Sequence, residues 1–118
     1  RLTIKTPVGG VARYENDYYH QVSHDIQAVP GNPWFICTLW MAQWRIACAK
    51  TLNDLKPAVT ILEWVVSHGL RSGVLAEQVD PYTDAPLSVS PLTWSHAEVL
   101  ITVHDYVAKY RGLVVIDD

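Results

Sequence analysis

The chain has 118 residues, room for one domain at most. Apolar residues make up 49% and charged residues 18%, so it can bury a core and is not disordered by composition. A net charge of -3 argues against nucleic acid as a partner, which needs a basic stripe, and no apolar run approaches the roughly 20 residues of a membrane span.

Residues 1 to 32 read as irregular. Pro7, Gly9, Gly10, Pro30 and Gly31 break them up, and only Leu2-Thr3-Ile4 has strand character. That stretch reads like the middle of a strand, so the expectation is a chain that starts inside a longer protein; localisation is left open, with the cytoplasm favoured. A short helical turn is expected around Tyr14 to His20. The first firm helix is predicted from Asn32-Pro33, because Asn is a good N-cap and Pro costs nothing at the first helical position. Phe35, Ile36, Leu39, Trp40, Ile46 and Ala47 then recur near the helical period, to about Thr51. Asn53-Asp54 offers the next cap. Leu55, Val59, Leu62, Val65 and Val66 make a stripe that stops at Gly69, a natural C-terminal residue.

Residues 70 to 91 form a long connection, and loops of some 20 residues in compact domains are usually functional. Ser90-Pro91 then caps a third helix along Trp94, Ala97, Leu100, Ile101, Val103 and Val107, ending near Gly112. The fold class is therefore all-α with elaborate loops, and the pair of helices at 33–51 and 55–68 suggests a helical toroid or solenoid. Three helices do not cover one another's broad apolar faces. Further chain is expected to pack on them, and this piece alone is expected to self-associate.

Cys37 and Cys48 stand eleven residues apart in one predicted helix, about 16 Å along its axis. A disulfide needs Cα atoms within about 7 Å, so they are expected as buried free thiols. His20 and His24, four apart beside Asp17 and Asp25, would suit a metal on a helix, but no fourth ligand is obvious. They read as surface histidines, and neither a metal nor a cofactor is expected. Five Trp and six Tyr point to a large core or to a sugar site, since the apolar face of a pyranose stacks on flat side chains.

Three blocks carry a resemblance. Leu75-Ala76-Glu77-Gln78, Pro86-Leu87-Ser88 and Leu92-Thr93-Trp94-Ser95-His96-Ala97 together make the first. Gly10-Val11-Ala12-Arg13-Tyr14 with Asp17 is the second, and Gly31-Asn32-Pro33-Trp34-Phe35-Ile36-Cys37-Thr38 the third. Taken in chain order they resemble the C-terminal part of glycoside hydrolase family 15, which holds glucoamylases, glucodextranases and some trehalases. The resemblance implies an (α/α)6 barrel of which residues 1–118 are a C-terminal fragment, packed against the remainder of the catalytic barrel. It implies an inverting mechanism with Glu77 as general base and a general acid in an earlier segment, so the fragment alone is expected to be inactive. Inverting chemistry needs two carboxyl groups about 6.5–9.5 Å apart with a water between base and sugar.

Ser88 matches a serine that hydrogen-bonds the base, which favours its charged form; an ordinary turn serine is the other reading. Arg13, Asp17, Trp34 and Trp94 match sugar-contacting residues. Against that, Arg13 and Asp17 have the spacing of a plain helical ion pair, and both tryptophans are at helix starts where core packing is the alternative. The implied activity is exo-acting hydrolysis of α-linked gluco-oligosaccharides with release of β-glucose. Trehalose hydrolysis is the alternative within the family, and a non-catalytic carbohydrate-binding or interaction module the alternative outside it. The longer link from Tyr19 to Gly31 departs from the fungal glucoamylase pattern and leaves the outer sugar subsites open.

Overall fold

The computed structural model of the chain describes residues 1–117. Its elements are α1 (Phe35–Cys48), a 3-10 turn (Leu52–Leu55), α2 (Lys56–His68), β1 (Gln78–Val79), β2 (Pro86–Leu87) and α3 (Thr93–Asp117). Helix α1 packs between the other two. Its buried residues Phe35, Leu39, Ala42 and Ile46 fall at alternating steps of four, three and four, one stripe of a helix. The upper part of the stripe meets Val8, Val65, Leu75 and Val79. The lower part meets Leu55, Ala58 and Leu113. No helix among the described residues is long and apolar enough to cross a membrane.

Tertiary pairing moves the predicted ends of α1. Asn32 is not its cap. Pro33 and Trp34 are extended, bridged to Ala12 and Gln78, and the helix opens at Phe35 with Trp34 as the flanking residue. At the far end Ala49 turns extended, two residues before Thr51, where the helix was expected to close. Thr51, not Asn53-Asp54, caps the next turn. Its hydroxyl accepts from the Asp54 N–H, while Asp54 Oδ2 accepts from the Lys50 and Thr51 N–H groups. These donors, the Lys50 N–H first, hold the Asp54 carboxyl below the usual range. Gly69 ends α2 as expected, its N–H on the Val65 carbonyl.

No helical turn forms at 14–20, where Asn16 and His20 adopt φ of 60° and 53°. The long connection is not wholly irregular. It folds back as the antiparallel pair β1–β2, with Gln78 opposite Leu87 and Val79 opposite Pro86. Asp80 Oδ1 closes the bend by accepting from the N–H groups of Tyr82 and Thr83.

Helix α3 continues past Gly112 to Asp117. Gly112 costs about 1 kcal/mol inside a helix, and the buried anchor Leu113 beside it offsets that. The side α3 turns inward mixes apolar residues, Val99, Tyr106 and Leu113, with polar ones. Ser95, Glu98 and Thr102 are buried, whereas Leu100, Ile101, Val103 and Val107 are exposed. Its inner side serves hydrogen bonds to α1 and to the 75–76 backbone, which leaves the apolar stripe open.

Gly10 shows how the N-terminal arm lies on the helices. It adopts φ +84°, and a Cβ there would sit 2.7 Å from Pro33 Cβ and 2.8 Å from Trp64 Cζ2. Next to it, Trp64 Nε1 donates to the Val8 carbonyl at 2.7 Å. Gly10→Ala combines a left-handed backbone with overpacking, so urea unfolding should show a loss of roughly 2–4 kcal/mol. The open stripe of α3 gives a second expectation: residues 1–118 alone should self-associate in size-exclusion chromatography with light scattering, and a monodisperse monomer would contradict this.

Candidate active site

The site is built around the extended segment 75–79. Its backbone groups are bonded to several elements. The Leu75 N–H donates to His96 Nε2 at 3.0 Å, and the Leu75 carbonyl accepts from the Leu92 N–H at 2.9 Å. The Ala76 carbonyl accepts from Ser95 Oγ at 2.8 Å. Glu77 donates its N–H to the Val89 carbonyl at 2.9 Å and accepts at its own carbonyl from Phe35 N at 3.3 Å. Val79 N donates to the Pro33 carbonyl at 3.0 Å. The first turns of α1 and α3 are therefore fastened to the segment on either side of Glu77.

The Glu77 carboxylate is half-buried and asymmetrically held. Ser88 Oγ donates to Oε2 at 2.5 Å, and Gln78 Nε2 donates to the same oxygen at 3.1 Å. Among the described residues Oε1 takes no hydrogen bond from a protein donor. Ser88 reaches Glu77 from a left-handed backbone, φ 63°, a conformation costly for a non-glycine residue. Gln78 is 0% exposed, and its Oε1 accepts from Asn32 Nδ2 at 2.9 Å.

Arg13 and Asp17 are not a surface helical pair. Arg13 Nε donates to Asp17 Oδ2 at 3.0 Å and Nη2 to Oδ1 at 2.9 Å, from a turn rather than a helix. Asp17 is fully buried, and Oδ1 also accepts from the Tyr19 N–H at 3.1 Å. Gly31 permits this burial, since a Cβ there would come within 2.9 Å of Asp17 Cβ. The side-chain hydrogen bonds to Asp17 raise the guanidinium pKa further. Its carbon lies 4.4 Å from the Trp34 ring centroid, 4.7 Å from Tyr14 and 5.3 Å from Tyr19. Asp17 was expected to accept from a sugar; in the structure it is buried and both its oxygens bond the Arg13 fork. Trp34 was expected to line the pocket; it is 3% exposed and its ring faces the Arg13 guanidinium.

Trp94 is 49% exposed, in the first turn of α3. Its Nε1 donates to Glu98 Oε1 at 3.0 Å, and its ring meets the edge of Trp40 at 5.9 Å between centroids. Glu98 is a buried carboxylate whose Oε2 accepts from Gln43 Nε2 at 2.7 Å. His20 and His24 are exposed, and no group of three metal-binding side chains occurs among the described residues.

Comparison with known proteins decides the family. The sequence model of the glycosyl hydrolases family 15 matches residues 2–104. The chain belongs to glycoside hydrolase family 15. It is 31% identical over 111 residues to an uncharacterized glycosyl hydrolase, MJ1610, of Methanocaldococcus jannaschii, a match covering 86% of this chain and 16% of that protein. It superposes on a crystal structure of a bacterial glucoamylase complexed with acarbose at a TM-score of 0.72 and 27% identity, covering 92% of this chain and 16% of that one. The chain thus spans about a sixth of the length of both relatives. The three helices are part of an (α/α)6 barrel fold of this family, and the family block at 75–78 is the fastened segment described above.

Four residues around Glu77 and Trp94 were not singled out as site residues from sequence. Asn32 was read as a helix cap and Gln78 only as part of a block. Glu98 and Gln43 stood on helices as unremarked polar positions. The i, i+4 spacing of Trp94 and Glu98 on a predicted helix was a usable signal. Asn32 stood in a block like Gln78, but its side-chain contacts were not readable because its partners lie 10 to 46 residues away.

The cysteines also part company. Cys37 is buried beside the Arg13 site, whereas Cys48 is exposed at the end of α1, not buried as expected. Burial pushes the Cys37 thiol up to about 11. A thiol reagent at pH 8 should therefore titrate one cysteine quickly and the second only on unfolding. Rapid reaction of both in the folded chain would contradict the placement.

Proposed function

We propose that this chain is the C-terminal part of the catalytic domain of an inverting, exo-acting α-glucoside hydrolase, with Glu77 as its general base. The observation that carries the reading is the asymmetry of the Glu77 carboxylate. A general base must hold one oxygen toward a water while its orientation stays fixed. Oε2 receives both Ser88 and Gln78, which leaves Oε1 for the water. Family membership and the likeness to a glucoamylase with acarbose bound support a gluco-oligosaccharide as substrate.

The neighbouring residues take roles that their geometry suits. Ser88 and Gln78 aim the base. The Arg13 fork, held by Asp17 and backed by Trp34, keeps part of its surface open for paired sugar hydroxyls. Trp94 offers an exposed indole for stacking, with its N–H already satisfied by Glu98. The general acid belongs to the remainder of the barrel, so residues 1–118 alone do not turn over substrate.

The test is Glu77→Gln in the full-length protein, assayed on maltooligosaccharides and on trehalose. The rate should fall by roughly 10²–10⁴-fold. The wild type should release glucose first as the β anomer, which polarimetry or NMR reads directly. A rate within about twofold of wild type rules out Glu77 as base. Turnover of trehalose in place of maltooligosaccharides moves the substrate to the trehalase branch, and α-glucose as first product rules out inversion.

A further inference from the structure

We propose that Asn32 is a positioning residue for the base, and that it acts through Gln78. This rests on the reading of Glu77 as general base. Asn32 is 1% exposed, and its side-chain amide meets three groups. Nδ2 donates to the His20 carbonyl at 2.7 Å and to Gln78 Oε1 at 2.9 Å. Oδ1 accepts from the Val22 N–H at 3.4 Å.

These contacts fix a direction. A backbone carbonyl only accepts and a backbone N–H only donates. His20 and Val22 therefore admit one orientation of the Asn32 amide, with its NH₂ toward His20. The second proton of that NH₂ points at Gln78, so Gln78 must present its oxygen to Asn32. Its own NH₂ is then forced to face Glu77 Oε2. The two backbone groups of the 20–22 segment thus set the polarity of a buried relay that ends on the base. Reversed, the relay would place the Gln78 oxygen against the Glu77 carboxylate, acceptor against acceptor, and Glu77 would lose its hold on one side.

The relay also joins two parts of the site that differ in kind. The 20–22 segment lies in the link that departs from the fungal pattern, where substrate preference was left open. Asn32 ties that link to the oxygen opposite the one left for the water. The rotamer of the base and the shape of the link are consequently set by one side chain.

Three substitutions in the full-length enzyme test this, with kcat and KM measured on whichever glucoside the wild type turns over. Asn32→Asp keeps the shape but has no proton to give Gln78. Gln78→Glu keeps an acceptor for Asn32 but removes the donor to Glu77. Each should lower kcat roughly tenfold or more, the scale of a hydrogen bond to a charged group, with KM within about threefold. In a Gln78→Met background, where the relay is already cut, Asn32→Asp should cost little further in kcat. A role confined to anchoring the link predicts otherwise: Asn32→Asp would raise KM, leave kcat within about twofold, and act equally in both backgrounds. That pattern overturns the proposal. If Asn32→Asp does not fold, Gln78→Glu decides alone, and kcat within about twofold of wild type refutes the relay. Glu77→Gln separates the two readings: if it abolishes turnover while the relay variants do not, the base stands and the relay falls.

Discussion

The structure depends on one buried extended segment finding partners for its backbone. Residues 75 to 79 lie in the interior, where an unpaired N–H or carbonyl costs about 1–3 kcal/mol. They cannot satisfy one another as a helix would. The partners come instead from the start of α1, the start of α3, the His96 ring and the return strand. Each partner is thereby fixed in place. The chain brings its most distant elements together here, and Glu77 is the residue at the junction. A side chain on such a segment inherits its rigidity, which is what a base aiming one water requires.

Buried charge is handled in two ways around this junction. Asp17 is paired with Arg13 through two hydrogen bonds and takes a third from backbone. A bidentate fork is the geometry that best offsets the desolvation of a carboxylate, and aromatic rings on the other side of the guanidinium add to it. Glu98 is met by neutral donors alone, Trp94 Nε1 and Gln43 Nε2. The first arrangement fixes a cation, the second an indole. In both cases a buried carboxylate orients a neighbour that has exposed surface.

Much of this was legible in the sequence, and the rest was hidden for definite reasons. Helix cores follow from apolar spacing, so α1 and α2 were found, and Gly69 marked an end set by local backbone. The start of α1 was misplaced because Pro33 and Trp34 are held extended by Val11, Gln78 and Val79, which local propensity does not see. The β1–β2 pair was missed because two-residue strands leave no alternation to detect. For α3 the apolar residues were read along the helix without a side, and open apolar faces were expected; Leu100, Ile101, Val103 and Val107 are exposed. Its buried residues Ser95, Glu98 and Thr102 are polar, and they are buried for their hydrogen bonds. The blocks stood out by resemblance, but the contact that joins Asn32 of one to Gln78 of another, 46 positions apart, did not.

The open stripe of α3 bears on the chemistry. On the proposed reading the base is set by the hub, and the acid is carried by chain that packs elsewhere on the barrel. Inversion requires the two carboxyl groups to stand at a fixed separation, about 6.5–9.5 Å. Nothing within the hub can set that distance, since it holds only one of the two groups. The separation must be set by how the rest of the barrel docks on this piece. The surface available for docking is the open apolar side of α3, with Leu100, Ile101, Val103 and Val107, joined by Val66 on α2. Packed interiors resist displacement, so on this reading chain docked on such a face is held in one position. Residues remote from Glu77 and without polar chemistry of their own thereby control the gap in which the water must fit.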